Sequence, residues 1–564
     1  MFGGESLTYR EFAGRVEIVT GILRQGGLVR GDRVMLLSNN MPNWVVCYFA
    51  AVCSGMVVVP VLTDFTPEQL GKIIKHSGAK ALFVSDKLFS KIPKSLTGQF
   101  NMVVRTVNFG IISHTSIKSQ AVGLRDALSA SASGNGAHAD KAAEGAESPM
   151  RHASITKILP DDVAAIIYTS GTTSEPKGVM LTHGNLASQV AMDYELFPIG
   201  EDDVFLSILP LSHTYECSLG MLLPFSTGAH VVYLSKLPTP SILMPALKAV
   251  RPTIMLSVPL IIEKIYRSQI RSRFTSNSLM ARFYRVRSIS RFLHRRVGKR
   301  MYAAFGGRLR FFGIGGAKLD MYTERFLRDA RFPYAIGYGL TETGPLLSGA
   351  VPGKVKYRSA GPLLNGVQGR IENPDPLTGE GELVVLSPST MKGYYDNPET
   401  TAAMFTTDGW LRTRDVVRFD DDGNLFVIGR TDSMITGPDG ENIYPEEIET
   451  VINSHFLVTD SIVRRESDRL VALVKFDREA IERKYRGFKE GINAKIAELK
   501  ADLKKDANSR LRPGSQIVDI EELKEDFDRT PTYKIKRYKY KSEDPVHSDE
   551  GADTPGSGRG EEGR

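Results

Sequence analysis

The segment AAIIYTSGTTSEPKGVMLTHGNL, residues 164–186, does most to decide the fold of this chain. Its apolar start predicts a buried strand, and Thr182 is a plausible N-cap for a helix that follows. Small residues let backbone N–H groups close on a polyphosphate, while hydroxyls add donors and a lysine adds charge. The residues between strand and helix that fit this role are Thr169, Ser170, Gly171, Thr172, Thr173 and Lys177.

This loop is not a Walker sequence, because the pattern GxxxxGK[ST] is absent. Taken alone, it is either a phosphate-binding loop or a surface turn rich in serine and threonine. Both interpretations stay open at this point.

The flanking sequence predicts an α/β protein. GDRVMLLS (31–38) and AKALFVSD (79–86) have the pattern of strands, and TPEQLGKIIKHSG (66–78) that of a helix with Thr66 as its N-cap. Alternation of this kind favours a parallel sheet. A second α/β run follows at 161–312 and leads into a β-rich stretch.

Changes in composition predict the domain organisation. We expect a large N-terminal domain over 1–429, made of α/β lobes and a β-rich lobe, and a small mobile α+β domain over 430–541. The Ala/Ser/Gly-rich stretch 127–153 predicts a flexible surface insertion. The tail 542–564 has almost no apolar residues and predicts disorder.

Overall composition excludes several protein classes. The chain has 564 residues, of which 41% are hydrophobic and 24% charged, so neither wholesale disorder nor a multi-span membrane protein is expected. The uncharged run 44–62 is long enough to span a bilayer, but Gly55 and Pro60 interrupt it and favour a buried helix–strand pair. Three cysteines and no visible signal peptide favour a soluble protein in the reducing cytoplasm.

The net charge of +7 is unevenly distributed along the chain. Residues 264–310 contain fourteen Lys and Arg and no Asp or Glu. A nucleic-acid binder would carry such a basic segment, but no helix-turn-helix, zinc-finger or RNP-like pattern accompanies it. We therefore expect no nucleic-acid partner.

Seven motifs in order make the interpretation specific. After the loop come LPLSHTYE (209–216), FFGIGGAKLD (311–320), GYGLTETG (337–344), DGWLRTRD (408–415), GRTDSMITGPDGENIYPEEIE (429–449) and RTPTYKIKR (529–537). Together with the loop, these segments resemble the AMP-forming acyl-activating synthetases. The resemblance spans almost the whole chain, excepting 127–153 and the tail.

The resemblance implies a role for particular residues. It implies Tyr338 against adenine, Thr341 near the α-phosphate, Glu342 and Thr169 on Mg²⁺, and Asp415 on the ribose hydroxyls. Lys534 matches the family's catalytic lysine, which reaches between the substrate carboxylate and the α-phosphate, and Asp432 matches the hinge. Further nucleotide contacts are implied for the glycine-rich turns and one arginine: Gly315, Gly316, Ala317, Gly337, Gly339 and Arg430.

The implied reaction uses ATP, Mg²⁺ and coenzyme A. A carboxylate attacks the α-phosphorus of ATP to give acyl-adenylate and pyrophosphate, and a thiol then displaces AMP. The small domain rotates between these half-reactions. One departure from the family is Arg414, where relatives usually have glycine, and its side chain is expected to point to solvent.

The predicted substrate is a fatty acid, since the acyl-side segments look most like the long-chain branch, with His213 at the acyl-pocket gate. That histidine could equally be a satisfied turn residue. An acyl carrier protein in place of coenzyme A, or a non-catalytic relative that binds acyl chains or nucleotide at a membrane, remain the alternatives.

The segment 280–305 predicts an amphipathic basic helix. Its apolar stripe would consist of Val286, Ile289, Leu293, Val297 and Met301. One interpretation is a helix that packs on the domain and has a solvated charged face. The other is a helix that contacts an anionic membrane peripherally, anchored by Phe283, Tyr284 and Phe292.

Overall fold

The computed structural model describes residues 6–114, 157–169, 176–234, 236, 238–271, 284, 286–437, 441–467, 469–485, 492–529 and 535–540. The predicted insertion and tail lie outside these residues. So do five of the predicted site residues: Ser170, Gly171, Thr172, Thr173 and Lys534.

The first sheet contains the strand that leads into the loop. Its members are β1 (Arg33–Leu37), β2 (Val57–Pro60), β3 (Ala81–Val84), β4 (Met102–Arg105), β5 (Ile111–His114), β6 (Val163–Thr169), β7 (Lys177–Thr182) and β16 (Gly393–Tyr394). Their spatial order is β16-β7-β6-β2-β1-β3-β4-β5. The central strands are parallel, whereas β5, β7 and β16 pair antiparallel with their neighbours.

A second, six-stranded sheet carries the glycine-rich motifs. It consists of β8 (Val204–Ser207), β9 (His230–Tyr233), β10 (Ile254–Ser257), β11 (Phe311–Ile314), β12 (Tyr334–Gly339) and β13 (Leu346–Ala350). The order is β13-β12-β11-β10-β8-β9, with only β13 antiparallel. One continuous apolar core joins residues of both sheets.

The remaining strands form three smaller sheets. β14 (Gln368–Glu372), β15 (Gly381–Leu386), β17 (Leu411–Phe419) and β18 (Leu425–Arg430) form an antiparallel sheet, as the β-rich stretch predicts. β19 (Ile435–Thr436) pairs with β20 (Asn442–Ile443). β21 (Val458–Glu466), β22 (Arg469–Phe476) and β23 (Asp519–Glu522) form a sheet with a core of its own, running from Ile443 to Ile520.

The helices cover the sheets. In the N-terminal part they are α1 (Tyr9–Gln25), α2 (Pro42–Val52), α3 (Pro67–Ser77), α4 (Asp86–Phe89), α5 (His183–Leu196), α6 (Thr214–Cys217), α7 (Leu223–Thr227), α8 (Pro240–Val250), α9 (Pro259–Ile265), α10 (Arg287–Ala304), α11 (Met321–Ala330) and α12 (Pro398–Ala403). The C-terminal part has α13 (Pro445–Asn453), α14 (Arg478–Lys484) and α15 (Ile492–Asn508). Parallel strands connected by helices make this an α/β fold, as predicted.

Local sequence signals placed two helix starts correctly. The Thr66 hydroxyl accepts a hydrogen bond from the Gln69 amide, and that of Thr182 accepts one from the Asn185 amide, each within a reciprocal capping box. The strand β7, between the loop and Thr182, was not predicted. It is six residues long and pairs with β6, so the loop connects two antiparallel strands rather than a strand and a helix.

The uncharged run 44–62 is a buried helix–strand pair. Trp44 lies inside α2 and Pro60 ends β2, and both elements are buried in the core. Among the described residues, no helix is long and apolar enough to cross a membrane.

The predicted apolar stripe of the basic helix is right at Met301, which is buried, and at Val297, which packs against the core, but wrong at Val286, which is 48% exposed. The fully buried face of α10 carries Ser290, His294, Gly298 and Met301. Tertiary contacts with α11 decide this rotation. His294 Nδ1 lies 2.8 Å from Asp329 Oδ2, and a Cβ on Gly298 would lie 2.4 Å from that of Ala330.

Candidate active site

A cavity of about 1880 Å³ lies where the second sheet, the β-rich sheet and the C-terminal part meet. Clefts of this kind at the junction of structural units are the usual place for small-molecule sites. Most of the predicted site residues that the structure describes line it: Thr169, His213, Gly315, Gly316, Ala317, Gly337, Tyr338, Gly339, Thr341, Glu342, Asp415 and Arg430. Lys177 and Asp432 are not part of the lining.

Asp415 is held at one end of this cavity by three elements. It lies on β17 directly opposite Arg430 of β18, whose Nε is 3.5 Å from Asp415 Oδ1. Tyr338, from β12 of the other sheet, donates its hydroxyl hydrogen to Asp415 Oδ2 at 2.7 Å. Burial, and next the neighbouring Asp415 carboxylate, raise the pKa of Tyr338, so this phenol remains a donor. A buried carboxylate in this setting is a rigid acceptor for paired hydroxyls.

Glu342 forms the second carboxylate of the cavity, in a 3₁₀ turn formed by Thr341–Thr343. Its Oε1 accepts a 2.8 Å hydrogen bond from the Tyr394 hydroxyl. Within the described part of the chain, no other hydrogen bond to this carboxylate is present. Carboxylate and hydroxyl oxygens are the ligands that Mg²⁺ prefers, so Glu342 fits a magnesium ligand whose orientation is set by Tyr394.

Tyr394 was missed by the sequence analysis, and it connects two predicted residues. It lies on β16, which pairs with β7, and the Lys177 Nζ is 5.7 Å from the centre of its ring. Lys177 in turn is the cross-strand partner of Thr169. The Gly393-Tyr394 pair follows a β-rich stretch, but nothing in its local pattern indicates that it returns to the first sheet.

The glycine-rich turns at the cavity are required by the backbone geometry. Gly316 has φ of +87°, a conformation that favours glycine, directly after β11. A Cβ on Gly339 would lie 1.8 Å from the carbonyl oxygen of Pro345, so this glycine is required by packing against the residue that follows its motif.

His213 has the role of a helix cap. Its Nδ1 accepts a 3.2 Å hydrogen bond from the Tyr215 amide at the start of α6. In the neutral ring the proton is therefore on Nε2. His213 also lines the cavity, so the turn-residue interpretation and a position at the pocket are both compatible with the structure.

The Arg414 side chain is partly exposed, as expected, and it also forms an ion pair at the surface. Its Nη1 lies 3.3 Å from Asp432 Oδ1, and its carbonyl accepts a hydrogen bond from the Thr431 hydroxyl. Arg414 has φ of +58°, the left-handed region, which explains why glycine suits this position. The predicted hinge is thus tied to the residue that precedes Asp415.

Lys318 follows the glycine turn and adds an exposed cation to the cavity lining. Desolvation by the surrounding cavity walls, and next the nearby Arg358, lower its pKa to about 8. Its Nζ donates to the carbonyl of Val427 at 3.3 Å. The sequence analysis did not single out this residue.

Comparison with known proteins agrees with this arrangement. Residues 1–395 match the family described as AMP-binding enzyme. The long-chain-fatty-acid–CoA ligase FadD15 of Mycobacterium bovis is 27% identical, covering 94% of this chain and 90% of the relative. The 4-coumarate–CoA ligase 1 of Arabidopsis thaliana is 30% identical, covering 78% of this chain and 72% of the relative.

Solved structures share the fold. ATP-bound MatB from Rhodopseudomonas palustris superposes with a TM-score of 0.72 at 23% identity, over 95% of this chain and 93% of that one. The anthranilate CoA ligase AuaEII, in complex with anthranoyl-AMP, gives a TM-score of 0.74 at 18% identity, over 95% and 92% of the two chains. The match over 1–395, together with the ordered motifs and the cavity they line, shows that this chain belongs to the AMP-binding enzyme family.

Proposed function

We propose that this protein activates a long-chain fatty acid with ATP, giving acyl-AMP and pyrophosphate, and then transfers the acyl group to the thiol of coenzyme A. The coarser activity, that of an AMP-forming acid–CoA ligase using ATP, Mg²⁺ and coenzyme A, is supported by family membership and by the acid–CoA ligases among the relatives. The observation that carries the proposal is the single cavity in which Asp415, Glu342 and the glycine turn face one another.

The nucleoside half of ATP would bind at Asp415. Its carboxylate can accept from both vicinal ribose hydroxyls, and Arg430 and Tyr338 hold it in place. The turn Gly315, Gly316 and Ala317 leaves room for the flat base to approach the backbone.

The phosphates would lie between the Thr169 end of β6 and Glu342. Glu342 and Thr169 would hold Mg²⁺, which would supply charge neutralisation for the phosphates. Lys177 stabilises the loop end electrostatically through its position beside Tyr394. With both reactants anionic, fixed cations and donors contribute most of the rate enhancement.

The substrate carboxylate would enter beside His213. Apolar side chains continue the cavity wall from this point: Leu209, Val258, Leu260, Ile336 and Leu346. Such a wall suits an alkyl chain. A hydroxycinnamate is the second candidate substrate, because the 30% identity to 4-coumarate–CoA ligase 1 exceeds the 27% to FadD15.

A panel of acids distinguishes these substrates. ATP–pyrophosphate exchange would be measured with octanoate, laurate, palmitate and 4-coumarate, and acyl-CoA formation followed by mass spectrometry. We expect the highest kcat/KM with laurate or palmitate, and loss of at least about a hundredfold in Glu342→Gln. Preference for 4-coumarate would overturn the fatty-acid assignment, and no exchange with any acid would overturn the activity itself.

The acyl acceptor is tested separately. With preformed acyl-adenylate, coenzyme A and a phosphopantetheinylated acyl carrier protein would be compared at equal thiol concentration. We expect faster AMP release with coenzyme A, and the reverse order would favour the carrier-protein alternative.

We propose peripheral contact with an anionic membrane through the exposed face of α10. That face carries Arg291, Arg295, Arg296, Lys299 and Arg300, together with Phe292, which is 62% exposed. Each basic side chain near anionic lipid contributes about 1 kcal/mol. Tyr284 is not available as an anchor, because its hydroxyl lies 2.5 Å from His294 Nε2, and Phe283 lies outside the described residues.

Co-sedimentation with liposomes tests this contact. Binding should require anionic lipid, weaken with salt, and fall in Arg291/Arg295/Arg296→Glu. Equal recovery with neutral and anionic liposomes, or an unchanged triple variant, would contradict it and favour a solvated face.

A further inference from the structure

Two arginines of the basic segment contact the C-terminal part of the chain. Arg267 and Arg271 lie on the π-helical turn Tyr266–Arg271 that continues α9. Arg267 Nη1 donates to the Val458 carbonyl at 2.8 Å, and its Nη2 donates to the Asn453 carbonyl at 3.3 Å. Arg271 Nη1 donates to the Ser454 carbonyl at 3.4 Å.

Two of these carbonyls, those of Asn453 and Ser454, are acceptors that a helix end leaves without internal donors, and the third is that of Val458 in the following strand. Helix α13 ends at Asn453 with Ser454 as its C-cap, and β21 begins at Val458. The last carbonyls of a helix carry partial negative charge and attract cations. Here the cations are Arg267 and Arg271 of the N-terminal part, whereas the carbonyls belong to the C-terminal part. These hydrogen bonds therefore form only when the two parts have the relative orientation seen in the structure.

Aromatic rings complete the contact. The Arg271 guanidinium lies 4.6 Å from the ring centre of Tyr322, on α11, and 5.9 Å from that of Phe456, in the α13–β21 connection. Arginine stacks on aromatic faces while donating in its own plane. Arg271 is thus held by Tyr322 of the N-terminal part and by Phe456 of the C-terminal part.

The same orientation brings the C-terminal segment to the cavity. Arg529, Ile535 and Lys536 line it together with Glu342 and Tyr338. In the sequence these residues stand on either side of Lys534, which lies outside the described residues and is the lysine expected to act in the adenylate-forming step. The orientation held by Arg267 and Arg271 is therefore one in which the described residues before and after Lys534 line the same cavity as Tyr338 and Glu342.

We propose that Arg267 and Arg271 form a clasp that holds the C-terminal part in the orientation for adenylate formation and that opens before thioester formation. This inference rests on the proposed function for the identity of the two steps. Both arginines are positioning residues, because they act through carbonyls of residues 453–458 and not on the reacting atoms.

The variant Arg267→Gln/Arg271→Gln tests the clasp, with Arg308→Gln as the matched control, an exposed arginine of the same basic segment. Two readouts separate a positioning role from a structural one. Single-turnover pyrophosphate release should slow about tenfold or more in the double variant, because charge-assisted hydrogen bonds are lost. Thioester formation from supplied acyl-adenylate should stay within about twofold of the parent.

A third readout does not depend on activity. Spin labels on Tyr194→Cys and Asp502→Cys, in a Cys53→Ser background, report the distance between the two parts; all three positions are exposed. We expect one dominant distance in the parent and in Arg308→Gln, and a broadened distribution in the double variant. An unchanged distance distribution in the double variant overturns the clasp, even if adenylate formation is slow. If the distribution broadens but the parent protein itself forms no adenylate, the clasp stands and only the proposed function is overturned.

Discussion

At the scale of single residues, Tyr394 illustrates a contact that orders the site without belonging to any motif used to find it. Its hydroxyl fixes one oxygen of Glu342 at 2.8 Å. Groups that orient a metal ligand typically contribute ten- to a hundredfold to metal affinity.

Tyr394→Phe should therefore raise the Mg²⁺ concentration needed for half-maximal adenylation about tenfold or more. The ring, and with it the contact to Lys177, is retained. The neighbouring Tyr395→Phe serves as the control, and a magnesium titration of pyrophosphate release measures the effect. Identical titrations for the two variants would contradict the orienting role.

Glu216 is a buried acid that the proposed mechanism does not use. It lies on α6 and is 1% exposed, and among the described residues its Oε2 has no hydrogen-bond partner. Burial raises its pKa from 4.5 to about 8, which a hydrogen bond from Ser207 only partly opposes. The folded protein thus holds a proton that the unfolded chain releases above pH 4.5.

A raised pKa in the folded state makes stability fall as pH rises between 4.5 and 8. Glu216→Gln, nearly isosteric, removes this dependence. Its stability relative to the parent should grow by about 1.4 kcal/mol per pH unit across that window. Urea unfolding at pH 5 and pH 8, with the exposed Glu17→Gln as control, measures the difference. If Glu216→Gln changes the free energy of unfolding by the same amount at pH 5 and at pH 8, the assignment of Glu216 as a buried, protonated acid is refuted.

At the scale of elements, the basic helix α10 shows how packing overrides an apolar pattern. Its periodic aliphatic residues predict one buried face, but the face against α11 is built from a small residue and a hydrogen-bonded histidine. Asp329, 2% exposed at its side chain, accepts from both Arg287 and His294. Leaving such a buried carboxylate without a partner would destabilise the folded protein by more free energy than the partial exposure of Val286 does.

Gly298→Ala should destabilise the protein by about 1–3 kcal/mol, because the new methyl would overlap Ala330. This loss outweighs the gain of about 1 kcal/mol in helix propensity. Gly21→Ala, in α1, meets nothing within 4 Å and should stabilise instead. Denaturant midpoints of the two variants should therefore move in opposite directions, and a parallel shift would contradict the close packing of α10 on α11.

At the scale of the whole molecule, the site is assembled from distant parts of the chain. Asp415 and Arg430 come from the β-rich sheet, Tyr338 and Glu342 from the end of the second sheet, and Thr169 from the first. The C-terminal part then closes the cavity. Chemistry in such a cleft depends on the relative orientation of its walls.

Lys534→Ala should abolish adenylate formation and largely spare thioester formation from supplied acyl-adenylate, since the two steps use different orientations of the C-terminal part. Lys539→Ala is the matched control, because this lysine belongs to the same basic run and pairs with Asp528. Rates of both half-reactions would be measured for each variant. Full ATP-dependent activity in Lys534→Ala would contradict the assignment.

Local sequence was sufficient to predict several helix starts and strands. The caps at Thr66 and Thr182 and the strands 33–37 and 81–84 follow from side chains that act within a few residues of themselves. The ordered motifs were sufficient to predict the family and to place most of the described candidate site residues at one cavity, because each motif is contiguous and carries its own turn geometry.

Long-range packing decided the rest. The contact of Tyr394 with Glu342, the bond from Arg414 to Asp432 and the face of α10 each join residues of different motifs or elements. The free energy that fixes these contacts comes from burying and pairing polar groups between elements. Strand β7 pairs with β6 inside the segment 164–186, but the local pattern there did not indicate a second strand. The sequence by itself therefore determined the family and the motifs that contribute residues to the cavity. Only the tertiary structure decided how those residues are held, which further residues join them, and which residues form the junction between the N-terminal and C-terminal parts, because these depend on contacts between separate elements.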